Sequence, residues 1–234
     1  DIGDGVETAA WLQKNAAEWH DIFSAQKYSL DPARGYEKNP WSARITGATS
    51  KPVWNTACGI QQFGRRTLLP PDKPETDCPM QNTWPIPTVD EWKGAAWQIQ
   101  DIALQLADGI ERVILESGPS EYSPVDNPTT GLPGAKGLAL AVFNGLVGKD
   151  AKLSRLTDVP AGVFAVRFAT PGGRKGLILF TSGKEAMLKL SATIPGAQLM
   201  DLFGKTISIT SGEIPVSAQP VYLLNVDSFI QRGS

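Results

Sequence analysis

Lys51-Pro52-Val53-Trp54-Asn55-Thr56-Ala57-Cys58-Gly59 reads as a short β-run cut off by a glycine. A long polar loop follows, then a helix with start and stop signals, then a second short β-run from Ile110 that ends at Glu116. Strand, loop, helix, strand is the unit of parallel α/β sheets and barrels, because parallel strands need a crossover of a dozen or more residues. In such barrels the chemistry gathers at the C-terminal ends of the strands. The residues at those addresses here are Thr56-Ala57-Cys58-Gly59 and Glu116.

The helix between the two runs is well marked. Thr88 and Glu91 stand three apart as a capping box. Trp92, Ala95, Ala96, Ile99, Ala103 and Leu106 form one apolar stripe, and Gly109 supplies the stop. A further helix is predicted over 133–147, with Ala135, Leu138, Ala139, Val142, Phe143 and Leu146 on one face and Gly148 behind it. Upstream, Ala9, Leu12, Ala16, Trp19 and Phe23 recur at helical spacing, which predicts one helix over 6–27. Residues 28–50 read as irregular, broken by Pro32, Gly35, Pro40 and Gly47. The expected order is α-β-α-β-α, with two strands.

After residue 160 the period changes from helical to alternating. Phe164, Val166 and Phe168 share one face, and Pro171-Gly172-Gly173 turns the chain. Short strands are predicted at 176–181, 186–190, 198–202, 206–210 and 221–225, at the spacing of an antiparallel sandwich. The expected fold class is α/β followed by all-β, with residues 1–157 as part of a (β/α) barrel and 158–234 as a β-sandwich.

The 234 residues are 41% hydrophobic and 20% charged, with a net charge of −2, which is the balance of an ordinary globular chain. Basic residues are scattered, so a nucleic-acid partner is not expected, and no apolar run reaches the length of a membrane span. A chain that starts at Asp1 without a methionine is expected to be a processed product or a fragment. One histidine, His20, and two distant cysteines cannot build a metal site, and no cofactor motif is present. His20 is assigned packing rather than chemistry. Cys58 and Cys78 flank the proline-rich loop from Gly59 to Pro87 and carry two readings, a disulfide closing that loop in an exported protein or two buried thiols.

Three passages together resemble the C-terminal part of retaining (β/α)8 glycoside hydrolases of the β-xylosidase and α-iduronidase-like group, which carry an appended β-sandwich. Lys51 through Gly59 is similar to a seventh barrel strand, whose family terminus reads Thr-Glu-x-Gly. Trp97 through Leu115 is similar to the seventh helix and eighth strand. Asp201-Leu202-Phe203-Gly204-Lys205 and Pro220-Val221-Tyr222-Leu223-Leu224 are similar to a turn and the last strand of the sandwich.

The resemblance implies a carbohydrate partner, a secreted or extracytoplasmic setting and no cofactor. It also places Ala57 at the nucleophile's position, where a methyl group can neither attack nor shuttle a proton. Three readings of Ala57 stand: an introduced Glu-to-Ala change, a natural loss in a sugar-binding descendant, or a small residue that simply packs there. The family's acid/base residue comes from a fourth strand this chain does not contain. A second chain or an N-terminal segment is therefore expected to supply the rest of the barrel. Glu116 is the substitute carboxylate, weighed against a solvated loop acid. Asn55 and Trp84 are the expected sugar contacts, and Trp54, on the opposite side of its strand from Asn55 and Ala57, is expected to pack under helices.

Overall fold

The computed structural model describes residues 5–27, 31–58, 91–115, 132–190, 195–209 and 212–226. Helix α1 (Val6–Asn15) gives way to a 3₁₀ turn (Ala17–Trp19) and then to strand β1 (Phe23–Gln26). The single helix expected over 6–27 therefore ends early. Ala16 leaves the helical region at φ −147°, and the Phe23 amide donates to the carbonyl of Pro52 at 2.8 Å. Phe23 and Ala25 are buried while Ser24 and Gln26 are exposed, so the alternation of a strand overrides a helical spacing that Phe23 also happens to satisfy. Trp19, placed by that spacing on an apolar face, is 80% exposed.

Residues 28–50, expected to be irregular, contain helices α2 (Pro32–Lys38) and α3 (Trp41–Ala48). Pro32 occupies the first turn of α2, and Pro40 immediately precedes α3. A missing N–H costs nothing at a helix start, so these prolines open helices rather than break them.

Strand β2 (Val53–Cys58), helix α4 (Glu91–Ala107), strand β3 (Ile110–Leu115) and helix α5 (Ala135–Leu146) follow. The strands form a parallel sheet in the order β1-β2-β3, three strands where the sequence led us to expect two. On one face Phe23, Ala25, Val53 and Ile110 pack against Ala9, Trp41 and Ile45 of α1 and α3. The other face carries Ser24, Gln26, Trp54, Thr56 and Ile114, all exposed or half-buried.

Helix α4 is buried continuously from Gly94 to Gln105. It lies among α2, α5, β3, β4 and β5. Its polar residues Gln98, Gln100, Asp101 and Gln105 consequently have almost no contact with solvent. Gly109 ends the segment in the left-handed region at φ 95° and turns the chain into β3.

The rest of the chain is antiparallel. A six-stranded sheet runs in the order β4 (Lys152–Leu156), β5 (Val163–Ala169), β6 (Lys175–Thr181), β11 (Val221–Leu224), β8 (Gln198–Met200) and β9 (Thr206–Ile207). Its first strand lies ahead of position 158, where the sequence places the boundary; β4 pairs with β5 along its whole length. A two-stranded sheet pairs β7 (Ala186–Lys189) with β10 (Glu213–Val216); β10 is absent from the expected strands. Phe164, Val166, Phe168, Ile178, Phe180 and Tyr222 share one core with α4 and α5. Val163, Ala165, Leu177, Leu179 and Leu223 on the other face pack with Leu188, Ile214 and Val216.

The turn at Asp201–Lys205 ties this sheet to the helices. The Asp201 carboxylate accepts the amides of Phe203 at 2.9 Å and Lys205 at 2.8 Å. That holds the Phe203 ring edge-on to Trp92 of α4, with centroids 5.0 Å apart. At the far end of α5, Arg174 donates to the terminal carbonyls of Gly145 and Leu146, a favourable placement of a cation at a helix C-terminus.

Asp108, in the turn between α4 and β3, bonds to three other elements, α2, α3 and β4. Its carboxylate accepts from Tyr36 Oη at 2.6 Å, Ser42 Oγ at 2.7 Å and Arg155 Nε at 3.0 Å. Its carbonyl accepts from Thr46 Oγ1 at 2.8 Å. The Arg155 guanidinium also sits 4.8 Å from the centre of the Tyr36 ring. Burial and the neighbouring carboxylate push the Tyr36 hydroxyl well above the usual phenol range.

Two substitutions test this framework. Asp108→Ala leaves Tyr36, Ser42 and Arg155 without their shared acceptor. It should lower the unfolding free energy by about 1–3 kcal/mol in urea titrations, in the range for removing a shared charged acceptor from a part-buried site. At Gly176 an added Cβ would lie 2.6 Å from the carbonyl oxygen of Leu223 and 2.9 Å from the Phe168 ring. Gly176→Ala should therefore destabilise by about 1–3 kcal/mol, and a thermal midpoint unchanged from the parent chain would contradict the strand packing.

Candidate active site

The C-terminal end of β2 is irregular. Asn55 pairs with Val113 and Cys58 with Leu115, so Thr56 and Ala57 together face the single residue Ile114. On the other side Asn55 pairs with Ala25 and Ala57 with Gln26, which skips Thr56 again. This is a β-bulge, a device that bends a strand and re-aims its side chains, often beside active sites. The carbonyl of Ala57 accepts the Lys27 amide at 3.2 Å. Thr56 Oγ1 lies 2.9 Å from Ser24 Oγ and donates to the carbonyl of Ala25 at 3.2 Å. The half-buried Ala57 is thus held firmly at the strand end.

Asn55 and Trp54 exchange the places expected of them. Asn55 is fully buried on the helix side. Its side-chain amide donates to Gln105 Oε1 at 2.8 Å, and its oxygen accepts the Lys27 amide at 3.3 Å. With no exposed surface it is a structural residue, not a sugar contact. Trp54 is on the open face, where its indole N–H donates to Glu111 at 3.3 Å and Arg112 lies 5.8 Å from its ring. Of the remaining expected site residues, Glu116, Trp84 and Cys78 lie outside the described residues. Cys58 is a buried free thiol.

Behind β2 lies a cluster that the sequence did not announce. Gln105 Nε2 donates to Asp101 at 2.9 Å, extending the chain from Asn55 into α4. Cys58, Gln98, Asp101 and Lys136 are all buried. Burial, and secondarily the charge of Asp101, pushes the Cys58 thiol far up. Burial brings the Lys136 amine down to about 7. A signal for Lys136 was present: it stands three residues before Ala139 and seven before Phe143, on the buried face of α5. Leu138, counted on that face, is 47% exposed.

Among the described residues no group of His, Cys, Asp and Glu could hold a metal ion. A cavity of about 140 Å³ between α2, α3 and α4 adjoins the cluster behind β2 and is lined by Tyr36, Asn39, Trp41, Ser42, Asp101 and Gln105 among others. Tyr36 and Ser42 there already donate to Asp108, and Gln105 to Asp101.

Against known structures the chain matches barrel enzymes over nearly its whole length. A GH51 arabinofuranosidase from Xanthomonas axonopodis pv. citri superposes with a TM-score of 0.57 at 12% identity, over 97% of this chain and 56% of that one. A GH39 β-xylosidase from Caulobacter crescentus gives 0.52 at 12% identity, over 93% and 54%. The catalytic domain of the GH30 xylanase C from Talaromyces cellulolyticus gives 0.51 at 13% identity, over 99% and 58%. The fold is that of part of a (β/α)8 barrel with a β-rich region attached, similar to the corresponding parts of these glycoside hydrolases. The chain spans little more than half the length of these structures. No protein-family model and no curated protein matches it.

The relay from Asn55 through Gln105 to Asp101 is testable. Gln105→Ala takes one hydrogen-bond partner from each of two buried polar groups, Asn55 and Asp101, so it should cost about 1–3 kcal/mol in chemical unfolding. Gln105→Glu puts a second carboxylate beside Asp101 and should cost at least as much. A neutral result for both would remove the relay from the account of how β2 is held.

Proposed function

We propose that this chain is a portion of a glycoside hydrolase-like protein in which Ala57 occupies the nucleophile's position. The observation that carries the reading is the bulged end of β2. A half-buried alanine stands at this strand end, the kind of address at which retaining enzymes of this fold keep an attacking carboxylate, and that supports the reading. Such enzymes need two carboxyl groups about 5 Å apart, one to form the glycosyl bond and one to exchange the proton. Neither is supplied by Ala57 or its neighbours on β1 and β2.

The sheet supports a missing remainder. Parallel sheets are normally covered on both faces, and closure into a barrel of this kind requires eight strands. Here three strands leave one face and two edges without a described neighbour. We assign that cover to an N-terminal segment or a second chain, completing a cleft over the strand ends. A carbohydrate is the proposed occupant, with Trp84 as the proposed stacking residue and Glu116, which follows β3 in sequence, as the proposed carboxylate. A polysaccharide substrate fits an extracytoplasmic setting.

A second reading, a non-catalytic sugar-binding descendant, is favoured by Ala57 itself, since a methyl group leaves the cleft without a nucleophile. One experiment separates the two. Ala57→Glu in the 234-residue chain alone should give no hydrolysis of aryl glycosides. Together with the remainder of the barrel it should give hydrolysis with retention. With Ala57 kept, azide should displace the leaving group of an activated substrate directly and form a glycosyl azide. Equal activity with and without the introduced glutamate would put the nucleophile elsewhere, with Glu116 the first residue to change. Binding of oligosaccharide without turnover in either form would establish the non-catalytic reading.

A further inference from the structure

Three helices turn one face each toward the cavity of about 140 Å³ behind the parallel sheet. Gly35 and Asn39 of α2 stand four residues apart on one face, as do Asp101 and Gln105 of α4. Ser42 of α3 joins them. Ser42, Asp101 and Gln105 are 3%, 5% and 2% exposed, while Gly35 and Asn39 are open to solvent. The cavity therefore has a polar floor withdrawn from water and a mouth at α2.

Gly35 lies inside a helix, where glycine is destabilising relative to alanine. Its backbone is outside the left-handed region that demands glycine, so conformation does not require it there. A side chain at this position would project onto the face that lines the cavity. The glycine keeps the space open.

The lining groups specify the chemistry of an occupant. Tyr36 and Ser42 each give their hydroxyl proton to Asp108, at 2.6 and 2.7 Å, so their oxygens can only accept from a ligand. The Asn39 oxygen accepts from Arg44 at 2.7 Å, which leaves its amide N–H groups as donors. Lys27, half-buried, brings a basic group and Asp101 an acidic one, so neither a cation nor an anion is favoured. A ligand that donates and accepts over a short distance without net charge carries hydroxyl groups. A cavity of about 150 Å³ holds a molecule the size of benzene, whose six heavy atoms glycerol matches in number.

We propose that the cavity between α2, α3 and α4 is a binding site for a small neutral polyol of about the size of glycerol. It is distinct from the cleft proposed above. It lies on the helix side of the sheet, and Lys27 connects it to the strand end: the Lys27 amide donates to Asn55 Oδ1 at 3.3 Å and to the carbonyl of Ala57 at 3.2 Å.

Trp41 lines the cavity and is 4% exposed, so its indole reports on an occupant. The full chain, carrying isotopically labelled tryptophan, is titrated with glycerol while the indole N–H resonances are followed by NMR; Trp41→Phe assigns the resonance of interest. That resonance should shift to saturation with a dissociation constant of about 1–10 mM. Trp19, 80% exposed, should show at most a linear drift. Propan-1-ol, the same carbon chain with a single hydroxyl, should bind at least about tenfold more weakly. Gly35→Leu should fill the mouth and abolish the saturable shift. Should Gly35→Leu fail to fold, Gly35→Ala decides, since its added methyl should weaken glycerol binding. A linear response at Trp41 means that the cavity takes up water only and overturns the proposal. So does propan-1-ol binding as tightly as glycerol, or binding unchanged by the substitution at Gly35. None of these readouts involves turnover or Ala57, so failure of the cleft reading and failure of the polyol site are distinguishable.

Discussion

Burial of α4 on all sides from Gly94 to Gln105 is the constraint from which the rest of this structure follows. A helix with no solvent face must offer each neighbour a complementary surface, and its polar side chains must find partners inside the protein. Gln105 accepts from Asn55, Gln100 donates to the loop carbonyl of Ala218 at 2.6 Å, and Asp101 accepts from Gln105 and joins the strand-end cluster. Just beyond its end, Asp108 collects Tyr36, Ser42 and Arg155, so that α2, α3 and β4 are all indexed to one carboxylate. The parallel sheet and the antiparallel sheet are therefore not two bodies joined by a linker. They are two sides of one helix, with Phe164, Phe180 and Tyr222 in the same core as Ala95 and Ile99.

That arrangement explains what could be read from the amino acids and what could not. The stripe of Ala95, Ala96, Ile99 and Ala103 marked α4 because apolar residues at helical spacing need a core whichever neighbours supply it. The alternation of Phe164, Val166 and Phe168 marked β5 for the same reason. Phe23 misled because one apolar residue satisfies both periods, and its assignment to a strand comes from pairing with β2, a contact remote in sequence. Pro32 and Pro40 misled because a proline at a helix start and one in a loop look alike until the helix is seen. Strand β10 is not among the expected strands; it carries Pro215 within it, a residue that speaks against a strand in sequence and is tolerated here in a two-stranded pairing with β7.

The site was legible to a similar degree. The strand end at Ala57 could be placed from Gly59 and the run before it, because the end of a parallel strand is a local event. Which way Trp54 and Asn55 point could not, because simple alternation gives two faces without saying which one the helices cover. The bulge at Thr56 and Ala57 also shifts the pattern after them, and a bulge depends on strands that lie far off in the chain. Lys136 illustrates a different blind spot. A lysine on a helix is read as solvated by default, and only its spacing to Ala139 and Phe143 speaks against that.

The uneven distribution of tryptophan has an optical consequence. All seven indoles precede residue 98, and the antiparallel sheet contains none. Within the α/β side they occupy contrasting surroundings: Trp41 and Trp97 are 4% and 8% exposed, while Trp11, Trp19 and Trp92 are 61%, 80% and 55% exposed. Intrinsic emission is then a composite of shielded and water-facing indoles, weighted toward one side of the molecule. Among the described residues, the edge contact of Trp92 with Phe203 couples it to the turn that joins two strands of the antiparallel sheet. A quencher dissolved in the buffer would silence the second group first, and the light that survives would come from beside the parallel sheet.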